Sequence, residues 1–409
     1  MTVTEKCELI WKGKSKIKGN LIGKPRLLKT VKSINTPKPK KVWRNKLITG
    51  DNKIVIKSLL REFKGKVNLV YIDPPFGSGT IQRIRGKNAK NQVNDSNIIK
   101  NGFKDTWGAN GLDSYLSFMY ERLVLIRKLL AKNGSIFIHL DWHTVHYIKV
   151  IMDEIFGRKN FQVDIIWQRT LGHHLSSTMD VMTDVILWYS KTEDLVYHQQ
   201  YQPLTDEEIN EKFPYIENET GRKFTHEKLE QSANAYSIGE KRIIDGREVT
   251  TCVGWRWTQE TFDKRLRENP HLIFWTSKGR PRYKRYADEY YGRKIGNLWT
   301  DIPSLASNEK ERLGYPTQKP EALLKRIIEM TSNEGDLVVD FFCGSGTTLI
   351  AAEKLNRRWI GVDSSEYTIN LTKNRLLSIG NSKCLLNKEK YYDKEIRPFE
   401  LIILDQERL

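Results

Sequence analysis

The stretch that most restricts the fold is residues 337–348, where an apolar run gives way to a glycine-rich turn. The apolar half is typical of a buried strand, and Gly344 and Gly346 then open a helix. Glycines let a ligand approach the backbone, and a helix N-terminus favours a carboxylate or another anion. A second strand pattern ends at Asp363, 23 residues after Asp340, and an acid at that place commonly binds ribose hydroxyls. The stretch therefore predicts an α/β fold of a nucleotide-binding type.

A second strand end carries the four residues Asp-Pro-Pro-Phe at positions 73–76. The run before it favours a buried strand, so Asp73 is presented where the strand meets a turn. Pro74 and Pro75 fix two φ angles and donate no N–H, which leaves carbonyl groups facing outward beside the ring of Phe76. A carboxylate, a carbonyl and a ring suit an exocyclic amino group on a flat heterocycle. An ordinary proline turn is the alternative for this motif on its own.

Length and composition restrict the class of protein. With 409 residues and 39% apolar side chains, the chain can form one large α/β domain with an insertion or a second small domain. It has no apolar run of membrane-spanning length, so we expect a soluble, unexported, cytoplasmic protein without a membrane partner. The four cysteines lack C-x-x-C spacing. His139, His143 and His146 lack an evident fourth ligand, so we expect no metal site.

Most of the net charge of +18 lies at the start of the chain, where residues 1–46 hold 14 Lys or Arg against 2 Glu. Such a basic arm can hold phosphates by counterion release, with a sequence-independent and salt-sensitive affinity. A solvated tail without a specific role is the alternative. The Pro- and Lys-rich residues 36–41 suggest a linker, which places the first domain boundary near residue 46.

Residues 47–191 alternate between strand and helix patterns, as the first half of an α/β domain does. A helix over residues 52–63 leads into the strand that ends at Asp73. Asp113 suits the N-cap of a longer helix, which Gly134 would end. The sequence thus predicts a βαβ arrangement that presents Asp73 at a strand end.

Two segments break the alternating pattern. Residues 77–107 form a long Gly-, Asn- and Lys-rich loop, which indicates either a functional lid or disorder. Residues 192–300 are rich in Tyr, Trp, Glu and Lys, and we interpret them as an inserted region. Within it, residues 277–294 carry seven basic side chains and four tyrosines, which suits contact with a nucleic-acid backbone and base stacking. A packed β-ribbon with solvated lysines fits this segment equally well.

Taken together, the two motifs resemble those of the S-adenosylmethionine-dependent DNA amino-methyltransferases. The order is the permuted order of the beta class, with the catalytic motif first, a recognition region in the middle and the cofactor motif last. The resemblance covers residues 47–376 and implies a Rossmann-like α/β fold. That fold has a circularly permuted, mixed and mostly parallel seven-stranded sheet. The implied domains are the arm 1–46, a catalytic half 47–191, a target-recognition insertion 192–300, a cofactor-binding half 301–380 and a C-terminal extension 381–409.

The resemblance also implies roles for individual residues. The catalytic motif corresponds to Asp73, Pro74, Pro75 and Phe76, with Asp73 also bordering the cofactor, and Asp184 begins a strand beside the target pocket. Tyr315 stands where the family more often has His, so that side chain receives no role. The implied contacts to S-adenosylmethionine are Asp51 near the adenine ring, Lys319 at the carboxylate, Asp340, Phe342, Gly344, Gly346 and Thr347 around the methionine part, and Asp363 at the ribose.

The function implied is methyl transfer to N6 of a flipped adenine in double-stranded DNA, in a restriction-modification or related system of the prokaryotic cytosol or nucleoid. Cytosine N4 is the near alternative, since either base offers an exocyclic amine. RNA adenosine methylation and a catalytically silent DNA-binding subunit are more distant ones. A nicotinamide oxidoreductase is disfavoured because the turn is F-x-G-x-G-T rather than G-x-G-x-x-G. A homodimer and a partner restriction endonuclease both stay open.

Overall fold

The computed structural model describes residues 8–20, 26–35, 43–76, 81–82, 103–104, 111–171, 178–231, 237–306, 308–386 and 389–404. The chain divides into two compact units, one formed by Met1–Gln199 with Gly296–Leu409 and the other by Gln200–Ile295. The expected linker at 36–41 lies outside the described residues. So does the expected loop at 77–107, apart from two short strands that pair with each other.

The elements of the first unit that precede the second unit are α1 (Lys14–Asn20), β1 (Leu28–Ile34), β2 (Asn45–Thr49), α2 (Asn52–Phe63), β3 (Val67–Ile72), β4 (Ile81–Gln82), β5 (Phe103–Lys104), α3 (Gly111–Leu129), β6 (Leu130–Leu140), α4 (Val145–Phe156), β7 (Phe161–Gln168) and β8 (Thr183–Ser190). The second unit contains β9 (Tyr201–Gln202), α5 (Asp206–Lys212), β10 (Tyr215–Ile216), β11 (Lys223–Lys228), β12 (Lys241–Ile244), β13 (Arg247–Thr250), α6 (Gln259–Glu268), β14 (Ile273–Trp275), β15 (Pro281–Tyr286) and β16 (Arg293–Lys294). The first unit resumes with β17 (Leu298–Trp299), α7 (Glu321–Thr331), β18 (Leu337–Asp340), α8 (Thr347–Lys354), β19 (Arg358–Asp363), α9 (Glu366–Leu377) and β20 (Phe399–Leu404).

One large sheet organises the first unit, with the strand order β1-β20-β2-β19-β18-β3-β6-β8-β7-β17. Its middle seven strands, from β2 to β7, confirm the expected mixed and mostly parallel sheet. Strands β2, β19, β18, β3 and β6 are parallel, whereas β8 is antiparallel to both of its neighbours. Because β3 and β18 are adjacent, the strand from the first half of the chain lies beside the strand from the last part. The fold is therefore the permuted Rossmann-like arrangement that the motif order predicts.

Three further strands extend this sheet beyond the expected seven. β20 lies parallel to β2, β1 lies antiparallel to β20, and β17 lies parallel to β7 at the other edge. The arm and the C-terminal extension, which lie outside the resemblance, each supply one strand, β1 and β20. The pattern does not reveal β1, because it is an edge strand whose side chains are mostly exposed. Trp11 of the arm is also buried in the main core.

The main core lies where α2, α3 and α4 pack against alternate residues of the central strands, including Ile360 and Val362 of β19. Gly361 points to the opposite face of the sheet, since side chains alternate along a strand. A Cβ at Gly361 would come within 2.3 Å of Leu349 Cδ1 on α8. The missing side chain therefore lets α8 approach the sheet closely. None of the helices in the described ranges is long and apolar enough to cross a bilayer.

Two local predictions were wrong. Asp113 lies in the first turn of α3 rather than at its N-cap, and Gly134 does not end that helix. Helix α3 ends at Leu129, and Gly134 lies inside β6. A Cβ at Gly134 would be 2.7 Å from the carbonyl oxygen of Val67, so this glycine is needed for the close approach of β6 to β3. A glycine can mark either the end of a helix or a close approach between two strands, so the residue type alone does not distinguish the two.

The second unit has its own small core, which contains Trp255 and Phe262. Its main sheet has the order β10-β11-β15-β14 and is antiparallel. Several residues of the basic, tyrosine-rich segment bind acids within the unit. Tyr283 donates to Glu227 (2.6 Å), and both Lys284 and Tyr286 donate to Glu217 (2.6 and 2.8 Å). Part of this segment therefore holds its own sheet together, as in the packed-ribbon alternative.

Candidate active site

A cavity of about 1020 Å³ lies in the first unit, at the carboxyl ends of the parallel strands. The sequence-predicted residues that line it are Asp51, Asp73, Pro74, Pro75, Phe76, Lys319, Asp340, Phe342, Gly344, Thr347 and Asp363. Gly346 does not line the cavity. It precedes α8 with a φ of 77°, and a Cβ there would lie 2.5 Å from Thr372 Cγ2. Gly346 therefore allows the turn to form, whereas the other sequence-predicted site residues all line the same cavity.

The Asp-Pro-Pro-Phe corner follows β3 directly and is joined by one lysine. The ammonium group of Lys319 donates to a carboxylate oxygen of Asp73, and it also donates to the carbonyl of Thr317 (3.3 Å). The same nitrogen lies 5.7 Å from the ring centre of Phe76, within cation–π range. The resemblance implies that Lys319 binds the cofactor carboxylate. Its contacts among the described residues are with the two ends of the catalytic motif, Asp73 and Phe76, and with the Thr317 carbonyl.

Asp340, at the end of β18, is in a different electrostatic situation. The hydroxyl of Thr348 donates to it (2.6 Å), and so does the backbone N–H of Phe342 (2.9 Å). Burial, with the nearby charges of Asp73 and Asp363, outweighs these hydrogen bonds and raises the pKa of Asp340 to about 7. Among the residues that the structure describes, no lysine or arginine forms an ion pair with Asp340. Its carboxyl group therefore exchanges a proton near neutral pH.

Asp363, at the end of β19, ties the glycine turn to the neighbouring strand. One oxygen accepts from the N–H of Gly344 (3.1 Å) and the other from the N–H of Ser365 (2.9 Å). Burial raises the pKa of Asp363 above its ordinary value. Each carboxylate oxygen has a second lone pair. Asp363 can therefore hold the turn in place and still accept a hydrogen bond from a ligand hydroxyl.

Asp51 belongs to a cluster with Arg122 and Phe118, two residues that the sequence motifs do not single out. It caps α2 by accepting from the N–H of Ile54 (3.3 Å), and Arg122 donates to its other oxygen (3.2 Å). Burial lowers the pKa of Arg122 to about 10, and its guanidinium carbon lies 3.4 Å from the ring centre of Phe118. Arg122 lies three residues after Met119 on the buried side of α3. A cation within an apolar stripe was the signal that could have identified it.

A buried network lies behind Phe76. The ring of His139 stacks on that of Phe76, with centres 6.1 Å apart and an interplanar angle of 25°. His139 Nδ1 is 2.9 Å from the Tyr71 hydroxyl, and Nε2 is 3.1 Å from Asp184, which also accepts from Arg169 (2.9 Å). Burial opposes ionisation of Asp184, but its bonds to His139 and Arg169 hold the pKa below its usual value. The resemblance implies that Asp184 begins a strand beside the target pocket, and in the structure Asp184 lines the cavity.

The electrostatics of the cavity favour a cationic ligand. Seven acidic side chains line it against three basic ones, and each basic side chain binds one of the acids. Arg122 binds Asp51, Arg169 binds Asp184 and Lys319 binds Asp73. Two buried carboxylates, Asp340 and Asp363, have only uncharged donors among the described contacts. A ligand that brings positive charge and hydroxyl groups matches these two acids.

Comparison with known proteins agrees with this arrangement. A family model described as DNA methylase, and named for N6 and N4 methyltransferases, matches residues 67–374. The type II methyltransferase M.EcaI of Enterobacter cloacae is 28% identical over 339 residues, covering 81% of this chain and 69% of that protein. The StyLTI Mod subunit, from a type III restriction-modification enzyme of Salmonella typhimurium, is 30% identical over 344 residues, covering 79% of this chain.

The chain spans only 52% of the length of that Mod subunit. Among solved structures, the M1.HpyAVI–SAM complex matches 81% of this chain and 98% of its own chain, with 17% identity and a TM-score of 0.42. The family match begins at the first residue of β3 and extends past Asp363 into α9, so it includes both strand ends that line the cavity. The chain therefore belongs to the DNA methylase family.

Proposed function

We propose that this chain methylates N6 of an adenine that has flipped out of duplex DNA, with S-adenosylmethionine as the methyl donor. The observation that carries the proposal is the shared cavity of two motifs, with Asp73 after β3 and Asp340 at the end of the adjacent β18. One strand end offers acceptors for an amine, and the other offers a carboxylate that lacks a counter-charge. A donor and an acceptor of the methyl group would thus meet on neighbouring strands.

The lining residues fit S-adenosylmethionine. Asp340 would accept from its ammonium group, Asp363 from its ribose hydroxyls and Asp51 from the amino group of its adenine, with Phe342 and Thr347 beside the methionine part. When bound, the cofactor supplies a methyl group on a positively charged sulfur. The acid-rich lining of the cavity agrees with that charge. Gly344 lets the backbone approach the ligand, and its φ of 50° is one that glycine adopts readily.

The other end of the cavity would receive the target base. Flipping costs a few kcal/mol of unstacking and unpairing, which contacts in the pocket must offset. Phe76 stacks on the flipped base, while Asp73 and the Pro74 carbonyl accept hydrogen bonds from the exocyclic N–H groups. These acceptors turn the amine lone pair out of the ring and toward the electrophilic carbon. The residues act by positioning and by preorganised dipoles.

The proposed methyl transfer needs no covalent intermediate between a side chain of this chain and the base. Cys343 lies in the cofactor turn and is buried, and burial raises the pKa of its thiol well above the ordinary value. A neutral, packed thiol is a poor nucleophile. This agrees with direct transfer to an amine rather than to a ring carbon.

Adenine N6 and cytosine N4 are both compatible with the family, whose model is named for both. The acid at the first position of the Asp-Pro-Pro-Phe motif resembles the adenine-N6 branch of the family. Serine at that position is more common in the cytosine-N4 branch. The test is to methylate DNA in vitro, digest it to nucleosides and separate them by mass. N6-methyl-2′-deoxyadenosine as the product supports the proposal, and N4-methyl-2′-deoxycytidine alone would overturn it. Competition between duplex DNA and RNA separates the RNA alternative.

The setting we propose is a restriction-modification system of the prokaryotic cytosol or nucleoid. Of the two relatives named above, one is named as a type II methyltransferase and the other as the Mod subunit of a type III restriction-modification enzyme. A second copy of the chain and a restriction endonuclease are the partners that such a setting offers. Mass measurement of the protein in solution, alone and with DNA, tests the first, and a genetic neighbour that cleaves unmethylated host DNA tests the second.

A further inference from the structure

We propose that Lys319 is a positioning residue for Asp73, holding its carboxylate in place for the target amine, rather than a ligand of the cofactor carboxylate. The inference rests on the proposed function and assigns the lysine to the other half of the same site. The family resemblance alone implies that Lys319 binds the cofactor carboxylate. Its described contacts join it to both functional groups of the catalytic corner.

The geometry supports this assignment first. Two of the three ammonium hydrogens are engaged, one by Asp73 and one by the carbonyl of Thr317. The side chain of Lys319 is 10% exposed and that of Asp73 is 16% exposed, so the ion pair is largely shielded from water. Screening by solvent is weak for such a pair. The lysine that faces Asp73 also faces the ring of Phe76, so one cation braces the acid and the stacking surface together.

The segment around Lys319 is fixed by its own hydrogen bonds. The side chain of Gln318 accepts from the N–H of Leu313 (2.8 Å) and donates to the carbonyl of Glu311 (2.8 Å). Pro320 follows directly and precedes the first turn of α7, where its ring sets φ at −67°. The backbone on both sides of Lys319 is thereby restrained. The lysine reaches Asp73 from a rigid support, as a positioning group requires.

The charges around the pair give the second argument. The groups that act electrostatically with Asp73 from the surrounding elements are Lys319, Asp340, Tyr71 and Tyr315. The other charged side chains that line the cavity are Asp51, Asp141, Asp184, Asp363 and Glu366, with Arg122 and Arg169, which bind Asp51 and Asp184. Lys319 is the cation that the described residues supply to Asp73, and its removal would leave that carboxylate among like charges that repel it. The lysine therefore holds Asp73 in a site where most of the other charged side chains are acidic.

The test uses Lys319→Met, which keeps the length of the side chain without its charge, and Lys319→Arg, which keeps the charge. Lys325→Met is the matched control, because Lys325 lies on α7, pairs with Glu329 and does not line the cavity. Each variant is measured for single-turnover methylation at saturating cofactor and for binding of S-adenosylhomocysteine and of methylthioadenosine, which lacks the amino-acid carboxylate.

For Lys319→Met we expect the single-turnover rate at neutral pH to fall about 10²-fold or more. Binding of both nucleosides should stay as in the native protein. Lys319→Arg should recover part of the rate, and Lys325→Met should behave as native.

The opposite pattern overturns the inference. If Lys319→Met weakens binding of S-adenosylhomocysteine but not of methylthioadenosine, and leaves the single-turnover rate at saturating cofactor as in the native protein, the lysine serves the cofactor carboxylate. A double-mutant cycle of Lys319→Met with Asp73→Asn, read from thermal unfolding, tests the pair without turnover, and strict additivity would also contradict it. Absence of methylation by the native protein would refute the proposed function, while this cycle still tests the ion pair.

Discussion

Asp73 and Asp340 occupy equivalent places in the fold but opposite electrostatic situations. They follow adjacent parallel strands and line one cavity. Among the described residues, Asp73 has a cationic partner, Lys319, whereas Asp340 receives a hydroxyl and a backbone N–H. Asp73 is therefore paired with a positive charge before any ligand arrives. Asp340 completes its ionisation when a ligand brings the positive charge. Under the proposed function, Asp73 therefore serves methyl transfer and Asp340 serves cofactor binding.

The largest effect is expected for Asp73→Asn, which keeps the size of the side chain and removes its charge. Methyl transfer should fall by about 10²–10³-fold or more, as when a preorganised electrostatic partner is removed. Cofactor binding should change little. Single-turnover rates and calorimetry measure the two quantities, with Asp301→Asn as a control, because Asp301 pairs with Arg326 and does not line the cavity. Native turnover in Asp73→Asn would remove the proposed role.

The reverse pattern is expected for Asp340→Asn. Removing one partner of a buried, hydrogen-bonded charge pair costs about 2–5 kcal/mol, so cofactor affinity should fall at least about 30-fold. The transfer rate at saturating cofactor should fall less than in Asp73→Asn. Calorimetric titration with S-adenosylmethionine checks the affinity. Unchanged affinity would mean that Asp340 does not meet the ligand's ammonium group, and the division between the two acids would fail.

The pH dependence of cofactor binding follows from the same acid. The pKa of Asp340 is about 7, and a cationic ligand binds its ionised form. Between pH 6 and pH 8 the ionised fraction rises about tenfold, so affinity should rise by about that factor. Because the pKa is raised above that of the unfolded chain, the ligand-free protein should lose stability as the pH rises from about 4 through 7. Binding that is flat across this range, or equally steep in Asp340→Asn, would contradict the assignment.

The smallest effect is expected for Thr348→Val, which removes the hydroxyl that donates to Asp340. The hydrogen bond favours the carboxylate, so its loss should move the midpoint of the pH-dependent affinity upward by about one pH unit. Thr331→Val is the control, because the Thr331 hydroxyl donates to the Ile327 carbonyl within α7. A midpoint that stays in place would show that the hydroxyl does not influence the acid.

The strand ends were predictable because each has a local signal. Asp73 follows an apolar run and precedes two prolines, and Asp340 precedes a glycine turn, so both could be placed from a few neighbouring residues. Arg122 and His139 could not be placed in the same way. Their roles depend on contacts with residues 71 and 45 positions away, namely Asp51 and Asp184. The sequence pattern predicts where strands end, whereas the partner of a buried charge depends on long-range packing.

Lys319 illustrates the same limit inside a recognised motif. Its position next to the cofactor turn could be inferred from the resemblance, but its ion partner could not. That partner, Asp73, lies 246 positions earlier in the chain. The edge strand β1 was not predicted for a different reason. Its side chains are mostly exposed, so its sequence shows little apolar alternation. Elements that depend on local periodicity are recovered, and those that depend on a distant partner are not.

The pairing of β3 with β18 also has a consequence for synthesis of the chain. Val70 lies opposite Val339, 269 residues later, and the whole second unit is made between them. At typical elongation rates that interval lasts roughly 10–50 s. During this time β3 can pair with β6 on one side, while its other edge is open and apolar. An open apolar edge is prone to intermolecular pairing. The centre of the finished sheet is thus an exposed edge in the nascent protein, and a chaperone that shields strand edges would act before β18 emerges.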